Sequence, residues 1–284
     1  MEFFTLLVPT INRTKELERL LNSVKETNYK NIEIIIVDQN DNSNVLDGII
    51  NNFPLLKIIH IKSDRKGLSL NRNLGIKNSS YKWVTLSDDD AIYDKNYFEL
   101  LSSEIEKNKE IDIWVSNVRN IEDSNFYTLA PKFRNKNFRL RNFKQICSIS
   151  LTIRRDLFEE IGLFDEDFGV GSIYGACEES DWILRAYSYK AKLKLAERCN
   201  VYHPKFIKNY NNLNRIKNYS IGFGAFYRKQ IQVFKFYEKC YFFFDFSLLL
   251  IRSFVGIFIN IFSYKRNYYI KSFSYKILGF IKYR

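Results

Sequence analysis

Short apolar runs alternate with amphipathic segments along the first 120 residues. The apolar runs are rich in β-branched residues and predict buried strands over residues 3–8, 32–37, 56–61, 83–86 and 113–115. Leucine, isoleucine and valine at helical spacing predict helices over residues 14–26, 45–53, 69–77 and 96–107, with Thr14 as a candidate N-cap. This alternation predicts an α/β fold whose sheet is mostly parallel and flanked by helices.

Polar residues stand directly after several of the predicted strands. Open parallel sheets bind ligands beyond the carboxyl ends of their strands, so these positions are candidates for function. The segments are residues 9–13, 38–41, 64–67 and 87–90. The sequence has neither a GxGxxG motif after the first strand nor a GxxxxGK[ST] motif, which argues against the dinucleotide-binding and P-loop classes.

Three adjacent carboxylates, Asp88, Asp89 and Asp90, follow the fourth predicted strand. They repel one another at close range, and a hard divalent cation such as Mg²⁺ or Mn²⁺ would offset that repulsion. The alternative is a solvated acidic turn that caps the next helix. Asp38, at the end of the second strand, presents a similar choice between binding a base or ribose and capping a helix.

Three further positions carry candidate chemistry. Arg72 and Asn73 lie where a loop runs into a predicted helix, which suits a phosphate, although a lone arginine more often forms a surface ion pair. A later helix begins within the acidic residues 178–181. These acids are present either because the helix dipole favours them in the first turn or because one of them is a general base. His203 is either structural or a contact to a metal or phosphate.

Five segments resemble, in order, the motifs of the family 2 inverting glycosyltransferases of the GT-A fold. They are residues 7–13, 34–38, 67–73, 87–90 and 178–181, and the resemblance spans about residues 3–230. Residues 222–229 look like those of a bacterial subgroup that builds cell-surface polysaccharide. The resemblance implies a Rossmann-like, mostly parallel sheet and a metal-dependent inverting transfer of a sugar to an acceptor hydroxyl.

The resemblance also implies roles for individual residues. Glu179 would be the catalytic base, and a divalent cation, Mn²⁺ or Mg²⁺, would be bound by Asp90, Asp88 and His203. The nucleotide-sugar donor, with a UDP-sugar favoured, would contact Pro9, Thr10, Asn12, Arg13, Asp38, Gly67, Arg72, Asn73, Asp88 and Asp89. The acceptor, a glycan or a lipid-linked glycan, would contact Glu178, Asp181 and Trp182.

The charge of the chain is concentrated in its last part. The whole chain carries a net charge of +12, and residues 205–284 contain fifteen Lys or Arg but only two acids. Such asymmetry indicates a polyanionic partner. Residues 241–262 are nearly all apolar or aromatic, and the charges of Asp245 and Arg252 within them favour an interfacial amphipathic helix over a spanning one. The alternative is a helical subdomain that packs on the catalytic domain.

We therefore expect a GT-A catalytic domain over residues 1–230 and a membrane-associating helical extension over residues 231–284. The apolar N-terminal run ends at Pro9 without a basic leader, and the four cysteines have no metal-binding spacing, so we expect no secretion signal and a reducing compartment. The expected location is the cytoplasmic face of the inner membrane, bound peripherally to an anionic surface. Two alternatives are a nucleic-acid-binding protein that uses the Tyr-rich tail, although we expect no nucleic-acid partner, and a nucleotidyltransferase.

Overall fold

The structure is a computed structural model that describes residues 1–27, 29–42, 44–126, 138–205 and 210–283. The chain forms two compact units. Within the described residues, the first unit contains residues 1–66, 70–164 and 182–205, and the second contains residues 67–69, 165–181 and 210–283. The boundary that we expect at residue 230 lies inside a helix of the second unit and stays a prediction.

The first unit is built on an eight-stranded sheet with the order β3-β2-β1-β4-β7-β6-β8-β5. The strands are β1 (Phe4–Thr10), β2 (Ile32–Asp38), β3 (Lys57–Lys62), β4 (Trp83–Leu86), β5 (Ile92–Tyr93), β6 (Ile113–Asn120), β7 (Leu151–Arg154) and β8 (Leu193–His203). Parallel pairs join β3, β2, β1 and β4, and also β6 and β8, whereas β7 and β5 pair antiparallel to their neighbours. The predicted α/β fold class is confirmed.

Helices connect and follow these strands. They are α1 (Thr14–Glu26), α2 (Asp47–Ile50), α3 (Leu68–Lys77), α4 (Tyr97–Lys107), α5 (Leu157–Glu160), α6 (Glu178–Ser188), α7 (Leu213–Val233), α8 (Phe236–Ile259) and α9 (Lys265–Lys282). Every residue of β1 and β2 is buried, which explains why both strands are mostly apolar, because strands in the middle of a covered parallel sheet have no solvent face.

Two details of the sequence prediction are wrong. Arg13 rather than Thr14 occupies the N-cap position of α1, and no side chain caps that end. The helix expected over residues 45–53 shrinks to the single turn of α2, because Asn51 and Asn52 favour turns and Pro54 disfavours a helical residue before it.

In the second unit, α7, α8 and α9 pack on one another through small residues. A Cβ at Gly224 on α7 would lie 2.0 Å from the carbonyl oxygen of Lys276 on α9, and a Cβ at Gly279 would lie 2.1 Å from that of Ile221. On the α8 side, the Phe246 ring stacks on Phe280 with 4.8 Å between centroids. The C-terminal tail, formed by α7, α8 and α9, is therefore a bundle of packed helices rather than a single isolated helix.

Candidate functional site

The strands that carry the candidate residues end at one edge of the sheet. β1, β2 and β4 are parallel, and two successive antiparallel steps through β7 return β6 to the direction of β4, with β8 parallel to β6. Asp38, the Asp88–Asp90 turn and His203 therefore all follow or end strands at the same edge, although they are far apart in sequence. Asp88, Asp90 and His203 each offer a ligand atom, and these three atoms lie within 4.8 Å of one another.

The contact between His203 and Asp90 fits a bound cation. His203 Nδ1 lies 2.8 Å from the carbonyl oxygen of Pro204, so Nδ1 carries a hydrogen and donates it there. In the neutral ring, Nε2 then carries no hydrogen and has a free lone pair. Nε2 lies 3.0 Å from Asp90 Oδ1, a buried oxygen that accepts no well-aligned hydrogen bond from the described residues. Two lone pairs that face each other at this distance require a proton or a metal ion between them.

The same contact shifts the pKa of both groups. Burial alone would lower the pKa of His203, but the carboxylates of Asp90 and Asp88 outweigh it and raise the pKa above its ordinary 6.5. Burial alone would raise the pKa of Asp90, but His203 and Arg13 outweigh it and hold the pKa at about 2. Without a metal the pair therefore favours a protonated imidazole, the charge of which a divalent cation would replace.

Asp89 differs from its two neighbours because its carboxylate faces β1 and α1. It accepts a hydrogen bond from Thr10 Oγ1 at 2.8 Å and one from Arg13 Nη1 at 3.2 Å. Arg13 also pairs with Asp90. Burial raises the pKa of Asp89 to about 6 against the opposing effects of Thr10 and Arg13. The structure thus links Thr10 and Arg13, two predicted donor contacts, to the acidic turn itself.

Arg72 and Asn73, neighbours on α3, make different contacts. The Arg72 guanidinium is fully buried and donates to Asp88 Oδ1 at 3.2 Å and to Ser148 Oγ at 2.9 Å. The amide of Asn73 bonds both backbone groups of Phe164, each at 2.9 Å. Arg72 therefore orients a candidate metal ligand, whereas the Asn73 contacts fix a loop and leave its donor role a prediction.

The carboxylate of Asp38 is enclosed by local partners. It is fully buried, pairs with Lys62, lies 3.0 Å from His60 Nε2 and accepts the backbone N–H of Asn40 at 2.8 Å. These partners outweigh the effect of burial and lower its pKa. Sequence reasoning missed His60 and Lys62, although the parallel pairing of β2 with β3 sets Lys62 opposite Asp38 and is the signal that could have found it.

Two other predicted donor contacts, Pro9 and Asn12, lie at the end of β1 and directly after it. Pro9 is buried within β1, and Asn12 adopts a left-handed backbone with φ of 57° and donates its N–H to Asn40 Oδ1 at 2.7 Å. In the second unit, Gly67 has φ of 141°, and a Cβ at Gly171 would lie 3.2 Å from its Cα. The positive φ favours glycine at position 67, so Gly67 has a clear backbone role and its donor contact stays a prediction.

The acidic residues that begin α6 have distinct environments within the second unit. Glu178 is buried, Glu179 is half-buried, and Asp181 is 1% exposed. Asp181 Oδ1 lies 2.9 Å from Lys229 Nζ of α7. Of the three acids, Glu179 is therefore the most accessible.

Trp182 belongs to the core of the first unit. Its ring is fully buried and lies 5.0 Å from the Phe158 ring and 6.0 Å from the Phe164 ring, measured between centroids. Its Nε1 donates to the carbonyl oxygen of Gly162 at 2.8 Å. The ring and the one donor of Trp182 therefore serve the core, and its expected contact with an acceptor stays a prediction.

Two solved structures have the same fold. Staphylococcus aureus TarS 1–349 in complex with UDP-GlcNAc is 15% identical with a TM-score of 0.60, over 78% of this chain and 66% of that one. The Pyrobaculum calidifontis mannosyltransferase PcManGT in complex with GDP-Man and Mn²⁺ is 13% identical with a TM-score of 0.63, over 99% and 86% of the two chains. The predicted GT-A architecture is therefore confirmed.

Sequence comparison identifies relatives of part of the chain. Glycosyltransferase GlyA of Streptococcus pneumoniae is 33% identical over 139 residues, which are 46% of this chain and 20% of that protein. The GalNAc(5)-diNAcBac-PP-undecaprenol beta-1,3-glucosyltransferase of Campylobacter jejuni is 30% identical over 93 residues, 32% of this chain and 30% of that protein. The matched stretches thus span less than a third of the length of these two relatives.

A family pattern covers more of the chain than either relative does. The pattern described as Glycosyl transferase family 2 matches residues 5–162, which include β1 to β4, the acidic turn and β7. This match extends over more than half of the 284 residues. The chain belongs to glycosyltransferase family 2.

Proposed function

We propose that this protein transfers a sugar from a nucleotide-diphosphate sugar to an acceptor hydroxyl by an inverting displacement. The observation that carries the proposal is the Asp88, Asp90 and His203 cluster, in which His203 Nε2 and a buried Asp90 oxygen face each other at 3.0 Å. A divalent cation, Mn²⁺ or Mg²⁺, held by these residues would stabilise the charge on the departing nucleoside diphosphate. Asp88 is a third exposed, so the cluster is accessible to a ligand.

The residues around the cluster support a role in donor binding. Arg13 is about half exposed and lies against Asp89 and Asp90, where its charge can also reach an incoming phosphate. Arg72 is buried and holds Asp88 in place. The solved TarS complexes contain UDP-GlcNAc and UDP, which favours a UDP-sugar as the donor here.

Glu179 is the proposed general base. An inverting displacement needs one group that accepts the proton of the acceptor hydroxyl, and it does not need the paired carboxylates of a glycosidase. Glu179 is half-buried, whereas Glu178 and Asp181 are buried and Asp181 is neutralised by Lys229. Glu178 and Asp181 are the proposed contacts to the acceptor.

The exposed face of α8 supports a peripheral position at the cytoplasmic face of the inner membrane and a lipid-linked acceptor. Large apolar side chains along α8 and the turn after it are at least half exposed, namely Phe236, Phe243, Phe244, Ile251, Phe254, Phe258, Ile259 and Phe262. Exposed Lys235, Arg252, Arg266 and Lys282 add positive charge nearby, which suits anionic lipid. The Campylobacter jejuni relative is named for an undecaprenol-linked substrate.

By length and composition, α8 is also the one helix among the described residues that could cross a bilayer. Its other face is occupied within the bundle, since Lys276 of α9 donates to Ser253 Oγ at 2.8 Å and Tyr227 of α7 donates to Asp245. A helix tied sideways to two partners through polar groups fits a position along the interface better than one across the membrane.

An assay of sugar transfer tests the activity. It measures the nucleoside diphosphate released from each of a panel of nucleotide sugars, with undecaprenyl-diphosphate glycans as acceptors. We expect release with Mn²⁺ or Mg²⁺, little in chelator, and none above background in Asp90→Ala. The proposal fails if no nucleotide sugar is consumed, or if chelation leaves the rate unchanged.

Flotation with vesicles tests the membrane surface. We expect the protein to float with vesicles of phosphatidylglycerol and to float less with neutral ones. The double variant Phe243→Ser/Phe244→Ser should lose most of this binding, whereas Leu55→Ser, a matched loss of an exposed apolar side chain in the first unit, should keep it. Equal flotation of both variants would contradict the assignment.

A further inference from the structure

The ammonium group of Lys229 on α7 forms ion pairs with both ends of the segment that leads into α6. Lys229 Nζ lies 2.9 Å from Asp181 Oδ1 and 2.7 Å from Asp165 Oδ2. Asp165 and Asp181 are the two ends of residues 165–181, which the second unit contains as one continuous segment. Gln230 adds a hydrogen bond from Nε2 to Asp181 Oδ1 at 3.1 Å. The ends of the segment are therefore held by adjacent residues of one helix.

Solvent reaches the contact between Lys229 and Asp181 poorly. The side chain of Lys229 is 15% exposed and that of Asp181 is 1% exposed, so screening by water and salt is weak. Burial alone would lower the pKa of Lys229, but Asp181 and Asp165 outweigh it and raise the pKa above its ordinary 10.5. Lys229 therefore stays charged at every pH at which an enzyme of this kind is assayed.

The enclosed segment has an unusual backbone that needs support. Gly169 and Gly171 have φ of 103° and 87°, and Cys177, directly before the first residue of α6, has φ of 72°. A left-handed conformation is uncommon for cysteine and persists only where the surrounding contacts hold it. Glu178 and Glu179 follow this strained residue, so the direction of their side chains depends on how firmly the segment is held.

Aromatic contacts support the middle of the segment from the same side. The Lys229 ammonium lies 5.1 Å from the centroid of the Phe168 ring. Tyr283, which follows α9, packs on Phe168 and Tyr174 with centroid distances of 6.0 and 5.5 Å. The helical tail thus contacts the ends of the segment through α7 and its middle through Tyr283.

We propose that Lys229 is a positioning residue for the proposed base, because its two ion pairs fix the segment 165–181 from which Glu179 projects. This inference rests on the proposed function. It gives the tail a role in catalysis that is separate from any attachment to a membrane. Lys229 does not touch the reacting atoms and acts through Glu179.

The test compares Lys229→Ala and Lys229→Arg with the wild-type protein, at saturating acceptor and varied donor. A misplaced base loses rate without losing donor affinity, and displacement of a catalytic group by about 1 Å can cost on the order of 100-fold in rate. We therefore expect Lys229→Ala to lower kcat by about 10- to 100-fold with donor KM and Mn²⁺ affinity unchanged. Lys229→Arg should recover most of the rate, because a guanidinium can serve both carboxylates.

The matched control is Lys217→Ala, which removes a positive charge from an exposed position on the same helix and should leave kcat unchanged. A Lys229→Ala variant with the wild-type kcat, or with a raised donor KM as its main defect, would overturn the proposal. If Lys229→Ala does not fold by circular dichroism, Asp165→Asn decides, because it frees one end of the segment and keeps the pair with Asp181. A 3- to 10-fold fall in its kcat supports the proposal, and an unchanged kcat refutes it.

The outcomes also separate this inference from the proposed function. If the wild-type protein consumes no nucleotide sugar, the proposed function itself fails. If it does and the Lys229 variants match it, only the positioning role fails.

Discussion

Asp38 and Asp90 stand at the same edge of one sheet, but their carboxylates have different kinds of partner. Asp38 is fully buried and bound by Lys62, His60 and a backbone N–H. Asp90 pairs with Arg13 through one oxygen, while its other oxygen faces the His203 ring nitrogen. The Asp38 carboxylate is therefore paired with side chains and backbone of the neighbouring chain segments. The Asp90 carboxylate has one oxygen placed to bind a metal ion.

The difference arises from what the neighbouring strands present. β3 pairs in register with β2, so Lys62 stands beside Asp38 and supplies a permanent charge. Next to Asp90, the end of β8 supplies a histidine, which is a metal ligand when neutral and a counter-ion when protonated. An aspartate that ends a parallel strand is thus a candidate by position, but its partners decide whether it is structural or functional.

Removal of the Asp90 carboxylate should have the largest effect on function. We expect Asp90→Ala to lower turnover by roughly 10³-fold or more and to weaken Mn²⁺ binding, because metal stabilisation of transition-state charge is worth several kcal/mol. Calorimetric Mn²⁺ titration and the sugar-transfer assay measure the two effects. Asp41→Ala, which removes an exposed strand-end carboxylate that pairs only with Lys66 in the described contacts, should change neither.

Glu33, near the start of β2, is a second fully buried carboxylate on the same strand as Asp38. Its side chain is fully buried and accepts hydrogen bonds from Thr5, Ser80 and Lys57. Burial alone would raise its pKa, but these partners outweigh burial and lower the pKa to about 2 from 4.5. A lowered pKa means that the stabilisation is complete above pH 4.5 and is lost as the pH falls through 2.

Glu33→Gln should therefore remove the part of the free energy of unfolding that depends on the charged Glu33 carboxylate. Urea unfolding at pH 6 and pH 3 should show a loss of roughly 2–4 kcal/mol for the variant at pH 6 and a smaller loss at pH 3, since one pKa unit corresponds to about 1.4 kcal/mol. Equal losses at the two pH values would show that the carboxylate is not held in its charged form.

Asp38→Asn should reduce stability and leave metal binding intact. The variant leaves Lys62 without its charge partner, and because Lys62 is about a third exposed we expect a modest cost of about 1–2 kcal/mol. The free energy of unfolding measures this cost, and the double variant Asp38→Asn/Lys62→Met should recover part of it. A loss of Mn²⁺ affinity in Asp38→Asn would break the distinction between the two carboxylates.

The smallest effect is the pH dependence of metal binding. His203 binds a metal only when neutral. Because its pKa is raised above 6.5, protons already compete with the metal at pH values above 6.5. We expect Mn²⁺ affinity to fall by up to tenfold for each pH unit below the pKa of His203. In His203→Gln the affinity should be lower and nearly independent of pH between 6 and 8, and an unchanged slope would exclude His203 as a ligand.

The sequence predicted the parts of this picture that depend on local pattern. The buried runs gave β1, β2 and β4 within a few residues, and the acidic turn stood out because it follows an apolar strand. The contacts of Asp38 could not be read in the same way, because they require the register between β2 and β3. The antiparallel strand β7 was missed, since only Leu151 and Ile153 of its four residues are apolar.

The tail shows the same limit. Its composition indicated an apolar, basic helix, but the packing of α7 against α9 depends on glycines whose partners lie some 55 residues away in the chain. The pairing of Asp181 with Lys229 spans 48 residues, and the acceptor contact expected of Asp181 stays a prediction. Long-range contacts of this kind have no signature in a single sequence.

The most direct test of the central claim is the binding of Mn²⁺ followed by electron paramagnetic resonance, with and without UDP. We predict that the wild-type protein binds one Mn²⁺ at this site, that UDP strengthens the binding, and that Asp90→Ala loses both effects while Asp38→Asn still binds Mn²⁺. Mn²⁺ binding that is insensitive to UDP and equally strong in Asp90→Ala would contradict the account.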